Sequence, residues 1–477
     1  MAPPSKPHVM IFPFMAHGHT LPLLDLSKAL SSQNIKVTIV TTPSNAKSIL
    51  KTIPNNTIHS DNIHLSELPF PTNVNGIPNG CENTSQLPSM DLHPAFVLAT
   101  KHLQTPFAQL LQRLKESRDL PLCVISDFFL GFTLKVCQDF GIPRLVFHGM
   151  GALSMAICKA SWVHKPQLTA KSISDPIDLP GIKLPFVLTV SDLPDAVNNS
   201  SDVDNPTSRL LEEIGAADIN SWGVIVNTVV DLEMGQVSAF ESFYREGARA
   251  WCVGPLNLYN DVHHVQNQSF DYAMKWLDDH DQLSRSASVI YVSFGTQANV
   301  SDAQLDEVAY GLEESGVSFI WVVRSNTWTP PNDIKEMIND KGLIVSGWAD
   351  QRRILSHNLI GGFLSHCGWN SVLESISAGV PILAWPMIAE QTLNAKLVVE
   401  GLGAGIRVRK TSGVGSENIV VSRQAICKRV RELMGSGEKG KKVRERAKSL
   451  GAVAKRAVEE GGSSFQTIHE LIQKLHG

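Results

Sequence analysis

The stretch WADQRRILSHNLIGGFLSHCGWNSVLESISAGVPILAWPMIAEQ, residues 348–391, decides the fold. It reads as two strand–loop–helix units in succession. The short apolar run Ile360–Ser365 suits a buried strand. It leads into His366-Cys367-Gly368-Trp369-Asn370-Ser371, and a helix then carries the chain through Glu374 to Ala378. Gly368 lets the backbone approach a ligand closely. Asn370 and Ser371 fall where the helix should start, with free N–H groups pointing outward, which suits phosphate oxygens. His366 at the strand end adds a donor to the same diphosphate. Glu374, one turn into the helix, is placed to accept hydrogen bonds from ribose hydroxyls. Trp348, after Gly347 and another strand, offers a flat indole to a base. Taken singly, such a tryptophan is more often core, and a helical glutamate is usually solvated. Their convergence at these offsets points to a nucleotide.

The same alternation runs outward in both directions. Towards the N-terminus, His8–Phe14 is a short apolar run, followed by Leu23, Leu26 and Leu30 at helical spacing, with Pro22 expected in the first turn. Strands are expected at 35–41, near 63–68, at 122–126 and at 144–147, with helices near 45–50 and at 131–140. A second run begins after Gly254-Pro255, with a strand at 289–294, a helix at 303–314 and a strand at 318–323. Strands alternating with helices imply parallel sheets. The organisation predicted is a first domain over 1–255, a polar linker over 256–270, a second domain over 271–457 and a C-terminal helix over 458–477. That helix carries Phe465, Ile468, Ile472 and Leu475 on one face and needs a partner surface. The basic stretch Lys439–Lys448, interleaved with Glu445, is read as a solvated helix face rather than a polyanion site.

Composition excludes several classes. A length of 477 residues suits two domains, and 43% apolar with 18% charged residues is ordinary for a globular chain. A net charge of −4 gives no electrostatic reason to expect nucleic acid or an anionic membrane. The seven cysteines form no close pair, so neither a disulfide framework nor a zinc site is expected and a reducing compartment fits. No apolar run reaches the roughly 18 residues of a membrane span, and no targeting signal is evident. A cytoplasmic location is expected.

Residues 348–391 resemble the signature box of plant family 1 UDP-glycosyltransferases. The resemblance extends along the chain through Gly18-His19, Ser126-Asp127 and Val292-Ser293-Phe294-Gly295-Thr296. It implies the GT-B fold: two Rossmann-like α/β domains with parallel sheets facing across a cleft, acceptor in the first and UDP-sugar mostly in the second. It also implies that the last helix crosses back to the first domain. Trp348 would stack on uracil and Ala349 pair with its edge. Gln351 and Glu374 would hold the ribose. Thr296, His366, Asn370 and Ser371 would contact the diphosphate, and Trp369, Glu390 and Gln391 would surround the sugar. Two positions depart from the family: Asp350 stands where proline is usual, and Glu390 where aspartate is often found. The terminal Gln391 favours UDP-glucose.

Sugar transfer to an alcohol needs a base for the hydroxyl proton, and histidine suits this near neutral pH. His19 follows the first strand, and Asp127 is expected just past the strand 122–126 on the same rim. A carboxylate there fixes the ring's tautomer and stabilises the imidazolium. The family uses such a pair, so His19 is expected as base and Asp127 as its partner, with His17 a competitor two residues earlier. A single displacement predicts inversion at the anomeric carbon. The resemblance leaves O- or C-glycosylation and another UDP-sugar open, and a non-catalytic binding protein is the rival from another class. The acceptor is expected to be a small phenol such as a flavonoid, or a terpenoid, bound by loops at 75–95, 148–155 and 185–205. The family often has Ser or Thr near the sugar in the segment where this chain reads His148-Gly149-Met150-Gly151. No metal and no resident cofactor are expected, and a monomer is expected. The acidic run Asp278-Asp279-His280-Asp281 is read as a surface helix behind the sheet, and Gly401-Leu402-Gly403-Ala404-Gly405 as a turn rather than a dinucleotide loop.

Overall fold

The computed structural model describes residues 6–52, 62–72, 74, 76–198, 206–259, 268–281, 286–298, 300–325, 327–338, 341–408 and 420–476. Among them, strands form two wholly parallel sheets. The first contains β1 (His8–Phe12), β2 (Lys36–Thr41), β3 (Ile63–Glu67), β4 (Cys123–Asp127), β5 (Arg144–His148), β6 (Gly223–Val226) and β7 (Ala250–Cys252). The second contains β8 (Val289–Ser293), β9 (Ser318–Val323), β10 (Gly342–Ser346), β11 (Ile360–Ser365), β12 (Ile382–Ala384) and β13 (Gly405–Arg407). The spatial orders are β3-β2-β1-β4-β5-β6-β7 and β10-β9-β8-β11-β12-β13. The central strands β1, β4, β8 and β11 are buried throughout, because helices cover both sheet faces, and so they read as unbroken apolar runs.

Each sheet reverses its winding once, between β1 and β4 and between β8 and β11. Such a reversal opens a crevice beyond the carboxyl ends of the two strands, where ligands of parallel sheets bind. His19 lies in the first turn of the helix His17–Ser31, which follows β1, and Asp127 ends β4. The loops after β8 and β11 carry Thr296 and His366.

Several sequence expectations need correction. The first strand stops at Phe12, since Pro13 has no N–H to continue the ladder. Asp127 is the last residue of β4, not the residue after it. Pro22 lies beyond the first turn, because the helix already begins at His17. Its missing N–H leaves the carbonyl of Gly18, four residues back, without an intrahelical partner. That oxygen instead accepts a 2.6 Å hydrogen bond from the side-chain amide of Asn370, which belongs to the second sheet's half. The linker expected at 256–270 is partly helical, with a turn at Leu256–Leu258 and a helix from Gln268, while residues 260–267 lie outside the described residues.

The two halves share apolar packing. Trp369, Val372, Leu393 and Leu397 of the second sit in one cluster with Val226, Val229, Leu232 and Ala156 of the first. The final helix, Ser463–His476, lays Ile468 and Leu471 onto the first sheet's core beside Trp222 and Trp251. The basic stretch lies in the helix Glu438–Val458. Two of its arginines cap neighbouring backbone: Arg444 donates to the carbonyls of Leu433 and Gly435, and Arg446 to that of Leu402. In the acidic run, Asp278 faces His357 and Asp281 accepts from Asn358, both just before β11 and therefore at the sheet edge away from the crevice. Among the described residues no three His, Cys, Asp or Glu side chains gather as a metal site. No described helix is long and apolar enough to cross a membrane.

Candidate active site

His19 and Asp127 meet because β1 and β4 are hydrogen-bonded neighbours, with Phe12 opposite Ser126. The ring nitrogen Nδ1 of His19 lies 2.8 Å from Asp127 Oδ2. With a carboxylate on Nδ1, the proton belongs there and the lone pair on Nε2. Asp127 is itself immobilised. Its Oδ1 accepts from the backbone N–H of Phe129 at 3.0 Å. Its carbonyl accepts from Arg144, which also donates to Ser126 and Ser221. The side chain of Asp127 is 0% exposed and that of His19 26%, so the carboxylate is sheltered while the imidazole still reaches the cleft. Burial disfavours the charged ring. The charge and hydrogen bond of Asp127, with a weaker contribution from Glu390, overcome it and raise the His19 pKa above the ordinary value. Glu390 comes from the second half, so this carboxylate and the His19 imidazole face each other across the halves. Burial in turn raises the pKa of Glu390, against its backbone contact, a 3.1 Å hydrogen bond from Asn394 and the charge of His19.

An aromatic wall surrounds His19. The rings of Phe14 and Phe129 each lie 5.5 Å from the imidazole and 5.0 Å from each other. His93 packs on both, at 5.9 and 5.4 Å. Its pKa is pulled down to about 4, first by burial and then by the charge of His19. His17, the competitor, makes no ion pair with a carboxylate among the described residues, and burial, then the charge of Arg324, lowers its pKa.

Across the cleft, the helix Trp369–Ser377 starts at Gly368 and points its first turn at Gly18. His366 is flanked by two glycines: a Cβ at Gly295 or at Gly368 would come within 2.6 Å of its Nε2. Burial, opposed by the Ser293 backbone, takes its pKa to about 4, so it is neutral. Thr296 is exposed at the mouth, just past Gly295. Ser371 accepts from Gln351 at 2.9 Å, and Gln351 also donates to Glu374 at 2.7 Å. Glu374 is further held by Arg352 at 2.9 Å, and Arg352 reaches Asp25 of the first half at 2.6 Å. Trp348 is 45% exposed, an unusual state for so large an apolar ring, whereas Ala349 behind it is buried. Asp350, standing where the family has proline, caps the helix Gln351–Ser356 by accepting from the Arg353 N–H. Gln391 directs its side-chain oxygen to the N–H groups of Met387 and Ile388, shaping the loop that presents Glu390.

Trp369 is placed differently from the rest. Its indole is buried between the halves, with Nε1–H donating to the Asn227 carbonyl at 2.8 Å. Its backbone N–H lies in the first turn of the helix. His148 points away from the cleft and pairs with buried Asp218 at 3.0 Å, while Gly149 brings bare backbone near Gly18.

Residue-by-residue reading of the sequence missed Arg144, Phe14, Phe129, His93 and the Asp25–Arg352 pair. Signals existed for two of them. Arg144 is a lone charge opening the apolar run RLVFH, and Phe128-Phe129 directly follows Ser126-Asp127.

Comparison with known proteins agrees with this fold. Residues 256–426 match the family model of UDP-glucuronosyl and UDP-glucosyl transferases. Residues 6–180 match that of the glycosyltransferase N-terminal domain. The chain is 39% identical to anthocyanin 3'-O-beta-glucosyltransferase of Gentiana triflora and 36% identical to scopoletin glucosyltransferase of Nicotiana tabacum. Each alignment covers 98% of both chains. The crystal structure of Glycyrrhiza uralensis UGT73P12 with glycyrrhetinic acid 3-O-monoglucuronide superposes with a TM-score of 0.84 at 30% identity, covering 99% of this chain and 96% of that one. Two parallel sheets meeting over this cleft and the full-length likeness together make the chain a member of the plant UDP-glycosyltransferases, a GT-B enzyme that transfers sugar from a UDP-sugar.

Proposed function

We propose that this enzyme transfers glucose from UDP-glucose to a hydroxyl of a small phenolic acceptor, with His19 as general base and Asp127 as its partner. The observation that carries the reading is the 2.8 Å His19–Asp127 contact at the cleft, with the ring's charge coupled to Glu390 on the opposite wall. As the acceptor oxygen bonds to the anomeric carbon, its proton passes to Nε2 of His19. The bond from that carbon to the UDP oxygen breaks, and UDP leaves with the electron pair. Asp127 stabilises the imidazolium so formed. Leaving-group charge is met at the N-terminus of the helix Trp369–Ser377. Attack opposite the leaving group inverts the anomeric configuration.

A phenolic acceptor is supported by the Phe14–Phe129–His93 wall, which offers flat apolar faces next to the base, and by the names of the anthocyanin and scopoletin relatives. A terpenoid is the second reading, favoured by the likeness to the structure holding a glycyrrhetinic acid glucuronide. Glucose as donor rests on Gln391 closing the box. Seven unpaired cysteines support a reducing, cytosolic setting. The test is a panel of phenols and triterpenoids incubated with UDP-glucose, with product mass and anomeric coupling measured. A β-O-glucoside of a phenol is expected. An α-linked product, or turnover of triterpenoids alone, would contradict the reading.

A further inference from the structure

The groups expected around the diphosphate carry no full positive charge. Thr296, Asn370 and Ser371 are neutral, and His366 stays neutral at physiological pH. A helix N-terminus supplies roughly half a charge. The anion gains negative charge as UDP departs, so the site calls for a cation. Most nearby cations are already paired. Arg352 bridges Asp25 and Glu374, Lys396 lies between Asp192 and Glu400, and Arg407 faces Asp192.

Arg324 is different. It is exposed and makes no hydrogen bond or ion pair among the described residues. It is the first residue past β9, which lies between β10 and β8. Val323 pairs with Ser346 of β10, Val322 pairs with Ser293 of β8, and the Gly347 N–H donates to the Val323 carbonyl at 2.9 Å. Arg324 therefore stands between Trp348, after β10, and Gly295-Thr296, after β8. Its charge is felt in the other half. His17, at the start of the first helix, has its pKa lowered by the surrounding protein and then by the charge of Arg324.

We propose that Arg324 is a diphosphate-binding residue of the donor site, its guanidinium meeting phosphate oxygens between the Trp348 indole and the Thr296 loop. This inference rests on the UDP-sugar reading above. It assigns to one arginine the charge that neutral donors leave unmatched, and it makes the grip on UDP tighten as the leaving group gains charge. Guanidinium hydrogen bonds to phosphate are the strong, charge-assisted kind.

The test compares UDP with uridine, which lacks the diphosphate, by calorimetric titration of the wild type, Arg324→Gln and Arg324→Lys. Arg324→Gln is expected to weaken UDP binding about 10-fold while leaving uridine within about twofold, and Arg324→Lys to recover part of the loss. The UDP affinity of Arg324→Gln should also depend less steeply on salt. Equal UDP affinity in wild type and Arg324→Gln would overturn the inference, as would an equal loss for UDP and uridine. A wild type that binds neither ligand would instead sink the nucleotide reading itself.

Discussion

At the scale of single residues, the proposed chemistry depends on how Asp127 tunes His19. If His19 is the base, as proposed, its raised pKa leaves it free only at higher pH, so the acid limb of kcat/KM should have its midpoint above about 6.5. Asp127→Asn keeps a hydrogen-bonding side chain but removes the charge, and burial then dominates. The midpoint should move below 6.5 while kcat falls about 100-fold or more. An unmoved midpoint in a pH–rate series would separate Asp127 from the base. A second buried carboxylate serves stability. Burial raises the pKa of Asp218, but His148 and Lys159 outweigh it, and the net shift is well below the ordinary carboxylate range. A depressed folded pKa gives stability that is present above the unfolded pKa and lost as pH falls through the folded one. Asp218→Asn should cost about 3–5 kcal/mol at neutral pH in denaturant titration, because Lys159 is left without its ion-pair partner. It should also flatten the stability loss below about pH 4. His19 and Asp127 were legible in the sequence because each follows an apolar strand run. The lone charge of Arg144 and the pair Phe128-Phe129 were visible, but what they do was not, since their roles come from neighbours distant in the chain.

At the scale of elements, the site is a product of where strands end and how the next helix begins. Pro22 frees the Gly18 carbonyl, and Asn370 takes it, tying the helical turn that holds His19 to the helix expected to hold the phosphates. The position of Pro22 was visible in the sequence, but its consequence needed the helix start at His17, which propensity alone put later. Glycines set the other wall. Gly295 has φ of +77°, and a Cβ there would lie 2.6 Å from His366. Gly295→Ala should strain the loop by about 1 kcal/mol and displace the imidazole, raising the UDP-glucose KM about 10-fold. An unchanged KM would show that His366 does not hold the donor. The long apolar strands were readable, whereas β6, β7, β12 and β13, at three or four residues each, give too little pattern to be seen before the sheet exists.

At the scale of the molecule, the two sheets act as one enzyme because apolar packing and the last helix join them. The periodicity of that helix announced a hydrophobic face, and the sequence could not name its partner. Leu471, which it buries alongside Ile468, lies outside the four apolar positions from which the face was read. Ile468→Ala should lower stability by about 2–4 kcal/mol, seen as a reduced unfolding midpoint, with kcat per folded molecule retained. A loss of kcat without a loss of stability would give the helix a direct part in the chemistry. In the proposed reaction, one imidazole from the first half removes the proton of an acceptor hydroxyl poised over the second. Single-turnover transfer from UDP-glucose in His19→Ala, with UDP affinity titrated on the same preparation, measures this most directly. A fall of about 100-fold or more in transfer rate, with UDP affinity unchanged, is expected. Transfer at the wild-type rate would contradict it.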